Sequence, residues 1–311
     1  MDILLSSALL VTGLIMLCLG GNWLVSGGIK IAKKFRISNL VIGMTIIAYG
    51  TSAPELAASI AAAGEHSAII LGNIVGSNIA NIGMVVGFAA ILTPLAIQKS
   101  VLRKEIPIML GVSALLILIS VDGEISQYDG ILLLIGLGVF GFYTFRNALK
   151  HRENAEDSTD SDKGNVYLKS AVLIGIGIVV LYVGSILTVD NAVVLATEFG
   201  LSEKIIGLTV IAIGTSLPEL ITSIIAIRKG HTDIGIGNII GSNIYNILMI
   251  MGVGATLGGV LITADVYVDY AIMIIFSLSL LIGLKTKIIN RTMGVILATG
   301  YVLYLITTFF K

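Results

Sequence analysis

The chain has 311 residues, of which 56% are hydrophobic and only 12% charged, with 36 glycines and a formal net charge of zero. Soluble proteins carry about twice that share of charge, and a mean hydropathy of +1.01 marks an integral membrane protein. The neutral balance gives no sign of a nucleic-acid partner, and the one cysteine, Cys18, excludes an internal disulfide and a cysteine-based metal cluster.

Crossing the hydrocarbon core takes about 20 apolar residues. About ten such runs follow one another, near 3–29, 38–63, 68–93, 105–121, 128–148, 168–196, 203–227, 234–261, 266–284 and 290–310. Their many glycines suit helices packed closely in lipid, where small residues let backbones approach. The first run has no basic region before it and no small-residue cleavage site, so it is expected to stay as a span. Cys18, within it, reads as a small buried apolar residue.

Span 2 contains Gly50-Thr51-Ser52-Ala53-Pro54-Glu55-Leu56 in the middle of its apolar run. Ser52 and Glu55 have the spacing of a capping box, with Pro54 in the first turn of the helix it would start. A helix start midway through a span predicts two half-helices around an unwound segment, with the carbonyls of Ala48 and Thr51 lacking helical partners. Span 3 carries Asn73, Ser77 and Asn81 at i, i+4 and i+8, on one stripe. Asn78 lies off that stripe by roughly 100° and reads as packing.

The polar stretch 150–166 is the one part of disordered composition. It is expected to be a linker between a first domain, 1–149, and a second, 167–311. Asp190, near the outer end of span 6, reads as a capping or interfacial residue. Span 7 repeats the span 2 motif as Gly214-Thr215-Ser216-Leu217-Pro218-Glu219-Leu220, with Ala212 and Thr215 at the matching carbonyls. Span 8 repeats the stripe with Asn238, Ser242 and Asn246, and Asn243 off it.

Over 22 residues from Val41 and from Ile205 the two halves align without gaps at 14 identities, mostly Gly, Thr, Ser, Pro and Glu, which shared hydrophobicity does not explain. Five spans per half force the second half to insert upside down relative to the first. The fold class expected is therefore an all-α integral membrane protein of ten transmembrane helices in two inverted five-helix repeats, with helices 2 and 7 interrupted near the midplane. Of the 19 basic residues, 17 fall in the odd-numbered loops and only Lys204 and Lys311 opposite. The positive-inside rule then puts the linker in the cytoplasm and both termini outside a cell membrane.

A bare carboxylate at the bilayer centre costs about 2.5 to 3.5 kcal/mol on insertion scales. No basic residue lies at the depth of Glu55 or Glu219, so their partner is expected from solution, as a metal cation or protons. Carboxylates, hydroxyls, amides and carbonyls form an all-oxygen site that suits Ca²⁺. The absence of intramembrane His or Cys ligands argues against Zn²⁺ or Cu⁺.

The paired G-T-S-x-P-E and G-N-x-x-G-S-N-I motifs, across essentially the whole chain, resemble the alpha repeats of the sodium/calcium exchanger family of cation/calcium antiporters. The resemblance implies that Glu55 and Glu219, with the carbonyls of Thr51 and Thr215, hold Ca²⁺. It implies sodium sites around Ala48, Ser52, Ser77 and Glu55 and around Ala212, Thr215, Ser216, Ser242 and Glu219, with Asn81 at the centre. Some members have Asp where Asn246 stands, an acid linked to potassium use among potassium-dependent relatives, so potassium is expected to be unnecessary. The short linker leaves no room for the regulatory insertion of animal exchangers.

The expectation is a secondary antiporter of Na⁺ and Ca²⁺ that moves net charge, working as a monomer in lipid, without a cofactor and not an enzyme. A Ca²⁺/H⁺ antiporter is the alternative, because two protons neutralise two carboxylates as well as one Ca²⁺ does. A channel fits inverted repeats less well, and an enzyme lacks a nucleophile, a histidine or a phosphate-cradling loop.

Overall fold

The computed structural model describes residues 3–64, 66–152, 163–200 and 212–309. Most of the linker, the start of span 7 with Lys204, and the acidic Glu65 and basic Lys311 lie outside the described residues.

The described chain is helical apart from four two-residue strands. Helix α1 covers Ile3–Phe35. Helix α2 runs Asn39–Thr51, bends by 45°, and continues as Ala53–Ala62. Helix α3 is Ser67–Leu92, α4 is 101–119, α5 is Gln127–Arg152 and α6 is Lys163–Glu198. In the described part of α7, Ala212–Thr215 precedes a break at Ser216 and Leu217–Arg228 follows it. Helix α8 is Thr232–Gly258, α9 is 266–286 and α10 is Arg291–Phe309.

Among the described residues six helices are long and apolar enough to cross a membrane, and seven if the bent α2 counts as one span. The sequence suggested about ten. The regular part of α4 has 14 residues, preceded by a wide π turn at Val101–Glu105, and the apolar helix Val266–Ile282 is also shorter than a full crossing.

Helices α3 and α8 form the centre. Of their apolar windows 83% and 94% is buried, against 17–28% for α1, α5, α6 and α10, whose apolar outer faces are left for lipid. Cys18 is on such a face, exposed, one position beyond the fully buried Leu17. It is not the buried residue expected, because half of α1 has no protein against it.

Contacts recur in matched pairs. The C-terminal half of α2 packs on α3 as α7 packs on α8, and α10 covers the end of α3 as α5 covers the end of α8. The strands repeat the exchange. β1 (Leu95–Ala96) pairs with β4 (Ile288–Ile289), and β2 (Glu124–Ile125) pairs with β3 (Val260–Leu261), both antiparallel. Helices α1 and α6 touch backbone to backbone: a Cβ on Gly20 would meet Leu181 N at 2.8 Å, and one on Gly177 would meet Leu24 N at 2.8 Å.

The N-terminal half of α2 lies equally close to α8. A Cβ on Gly237 would meet Leu40 O at 2.6 Å, and one on Gly241 would meet Ala48 Cβ at 2.7 Å. Glycine at these positions sets the distance between the helix that carries the Ser52 hinge and the helix that carries Ser242.

Candidate functional site

The hinges come first, because they aim the acids. Ser52 has φ −83° and ψ 8°, and Ser216 has φ −88° and ψ 2°, in the sparsely used bridge between helix and strand. Neither side chain caps its helix, so the capping-box expectation fails. The hydroxyl of Ser52 donates instead to Glu219 Oε1 at 3.2 Å and lies 3.2 Å from Ser242 Oγ. The bond to the carboxylate is charge-assisted and crosses from one repeat to the other.

The expected unwound segments are also shorter than foreseen. Ser52 N donates to Ala48 O at 3.0 Å, and Leu56 N donates to Ser52 O at 3.1 Å. At the second hinge Ser216 N donates to Ile213 O at 3.2 Å and Leu220 N to Ser216 O at 3.1 Å. The carbonyl of Ala48 therefore has a helical partner, and Thr51 Oγ1 lies 3.3 Å from it. Prolines 54 and 218 each remove a single N–H, which bends the helix without unravelling it.

Each hinge delivers a glutamate into the protein interior, with Glu55 2% and Glu219 1% exposed. Glu219 Oε1 accepts from Ser52, three residues before Glu55, which ties the two acidic hinges together. Glu219 Oε1 also accepts from Ser242 Oγ at 3.4 Å. Thr51 Oγ1 donates to Asn238 Oδ1 at 3.1 Å and lies 3.5 Å from Ser242 Oγ. Thr51, Ser52, Ser242 and Glu219 thus form one polar cluster drawn from both repeats. Thr215 is buried at the matching position on α7, beside Ser216.

The first asparagine of each stripe braces the helix behind the acid. Asn73 Nδ2 donates to Glu55 O at 3.1 Å and to Ser59 Oγ at 3.0 Å. Asn238 Nδ2 donates to Glu219 O at 3.5 Å and to Ser223 Oγ at 3.0 Å. The last asparagines, Asn81 and Asn246, each open a π turn, Asn81–Val86 and Asn246–Met251. Such turns widen a helix locally and recur at functional sites.

Among the described residues, six buried oxygens in this region have no hydrogen-bond partner: Glu55 Oε2, Glu219 Oε2, Ser77 Oγ, Ser216 Oγ, Asn81 Oδ1 and Asn246 Oδ1. Half of the twelve such atoms among the described residues belong to this region, an all-oxygen set that a cation or protons would satisfy. Among the described residues no group of three or more His, Cys, Asp and Glu could hold a metal. The donor set is two carboxylates supplemented by neutral oxygens, which is chemistry for a hard cation.

Ala48, Thr51, Ser52 and Glu55 come together with Glu219 and Ser242, and Ser77, Asn81, Ser216 and Asn246 are all buried. Ala212 opens the described part of α7 at the position equivalent to Ala48. Asp190 is exposed on α6. Asn78 and Asn243, read as packing, instead hydrogen-bond across the repeats to Asn246 and Asn81. Their recurrence at the same place in both motifs was the signal available.

Over residues 5–146 and 169–310 the chain matches the family described as sodium/calcium exchanger protein. It is 37% identical to the inner membrane protein YrbG of Escherichia coli, over 97% of this chain and 96% of that one. It is 32% identical to the sodium/calcium exchanger MaX1 of Methanosarcina acetivorans, over 97% and 98%. Among solved structures, the sodium-calcium exchanger NCX_Mj soaked with Na⁺ and Sr²⁺ superposes with a TM-score of 0.86 at 34% identity, covering 98% of this chain and 99% of that one.

Proposed function

This chain belongs to the sodium/calcium exchanger family, a family of membrane transporters, and from that premise we propose that it exchanges Na⁺ for Ca²⁺ by alternating access. The observation that carries the proposal is the pairing of two buried glutamates, each on its own helix hinge, joined across the repeats by the Ser52 bond to Glu219. Glu55 and Glu219, with the carbonyls of Thr51 and Thr215, hold the Ca²⁺. Sodium takes the flanking oxygens of Ala48, Ser52 and Ser77 on one side and of Ala212, Thr215, Ser216 and Ser242 on the other. Asn81 and Asn246 complete the centre.

Charge then bears on the cycle. Two carboxylates are neutralised by one Ca²⁺, whereas three sodium ions would leave the loaded site at +1, so exchange moves net charge. The neutral oxygens favour sodium over protons, because two protons need no hydroxyl or amide ligands. The architecture proposed is ten spans in two inverted repeats, with the linker cytoplasmic and both termini outside. It operates as a monomer in lipid, with no cofactor and no need for potassium.

Purified protein in liposomes tests this. An outward-directed sodium gradient should drive Ca²⁺ uptake, an imposed membrane potential should change its rate, and choline in place of sodium should stop it. Uptake that follows a pH gradient and ignores sodium would make the protein a Ca²⁺/H⁺ antiporter.

A further inference from the structure

Asn78 and Asn243 are each 1% exposed and lie about a quarter-turn off the stripes that carry Asn81 and Asn246. Each accepts from the opposite repeat. Asn246 Nδ2 donates to Asn78 Oδ1 at 3.0 Å, and Asn81 Nδ2 donates to Asn243 Oδ1 at 3.0 Å.

What lies behind these two amides sets their direction. Asn78 Nδ2 donates to the backbone carbonyl of Asn243 at 3.4 Å and lies 3.7 Å from Met273 Sδ. Asn243 Nδ2 lies 3.5 Å from Met109 Sδ. A carbonyl and a thioether accept and cannot donate. Asn78 and Asn243 must therefore turn their nitrogens toward these acceptors and their oxygens toward Asn246 and Asn81. Those oxygens in turn require nitrogen from Asn246 and Asn81. The remaining oxygens of Asn246 and Asn81 are the two buried Oδ1 atoms that have no hydrogen-bond partner.

We propose that Asn78 and Asn243 are positioning residues that lock Asn246 and Asn81 with their oxygens presented to the transported cation. The role rests on the exchanger reading above. An amide turned the other way would aim N–H at the cation and donate to a glutamate, competing for the carboxylate that binds it. The arrangement appears once in each repeat, with Met109 behind one pair and Met273 behind the other.

A double-mutant cycle separates orientation from packing. Asn78→Leu removes the acceptor at similar volume, and Ca²⁺ affinity of the purified protein should weaken roughly tenfold, the cost of misplacing one buried donor. In an Asn246→Ala background there is no amide left to orient. There Asn78→Leu should change affinity by less than about twofold, within the usual limit of additivity. Asn243→Leu in wild-type and Asn81→Ala backgrounds makes the same demand from the other repeat, so one poorly folding variant does not decide the outcome. Equal losses in both backgrounds, in variants that elute as monodisperse protein, would overturn the positioning role. A wild-type protein that binds no Ca²⁺ would overturn the exchanger reading, and this role with it.

Discussion

Replacing Gly241 by alanine acts where α2 and α8 pack backbone to backbone. The added methyl would meet Met44 O and Ala48 Cβ at 2.7 Å and Met44 Cα at 2.8 Å, whereas ordinary contact begins at 3.4 Å. Two of these three atoms are backbone, so no rotamer change relieves the clash. The N-terminal half of α2 and α8 must part by about 0.7 Å. Gly241 immediately precedes Ser242, whose hydroxyl lies 3.2 Å from that of Ser52. The same displacement carries that pair to about 3.9 Å, beyond hydrogen-bond range. Misplacing a site by about 1 Å can cost up to 10²-fold in rate, so sodium-driven Ca²⁺ uptake should fall ten- to a hundredfold. Overpacking of this kind costs about 1–3 kcal/mol, which should appear as a lower melting temperature in detergent while the protein remains folded. Gly138→Ala on α5 is the control, because among the described residues a Cβ there meets nothing within 4 Å. Uptake by the Gly241→Ala protein at the control's rate would refute the claim that close α2–α8 contact sets the site.

Glu55→Gln and Glu219→Gln should each abolish Ca²⁺ uptake while leaving a protein that elutes normally, since removing an intramembrane charge also removes a desolvation cost; Asp190→Asn should retain substantial uptake. Ser52→Ala removes the donor to Glu219 without removing a helix cap, because Ser52 makes none. A hydrogen bond to a charged group is worth about 1.5–3 kcal/mol, so Ca²⁺ affinity measured by calorimetry should weaken at least tenfold, and unchanged affinity would show that the Ser52 bond does not shape the site.

The acids, hydroxyls and asparagines of the site were legible because each appears twice, in register, against an apolar background where polar residues are costly. The hinges were legible in position and not in form. Proline within an apolar run located the bends, but the competition between a helix cap and a carboxylate from the other repeat depends on tertiary approach, and Ser52 resolved it toward Glu219. The same limit hid Asn78 and Asn243. Periodicity along one helix assigns them to a packing face and carries no record of the amides opposite. Burial of Cys18 failed for another reason, since an apolar helix in lipid has no need to bury its small residues on protein.

Bound-ion density tests the central claim most directly. Crystals soaked with Sr²⁺, a heavier surrogate for Ca²⁺, should show one strong anomalous peak touching carboxylate oxygens of both Glu55 and Glu219, near the 2.3–2.6 Å expected for Ca²⁺. It should vanish in the Glu219→Gln protein and give way to weaker density at the flanking serines when Na⁺ replaces Sr²⁺. A peak coordinated by only one of the two glutamates, or seated among the exposed acids such as Asp190, would contradict the account.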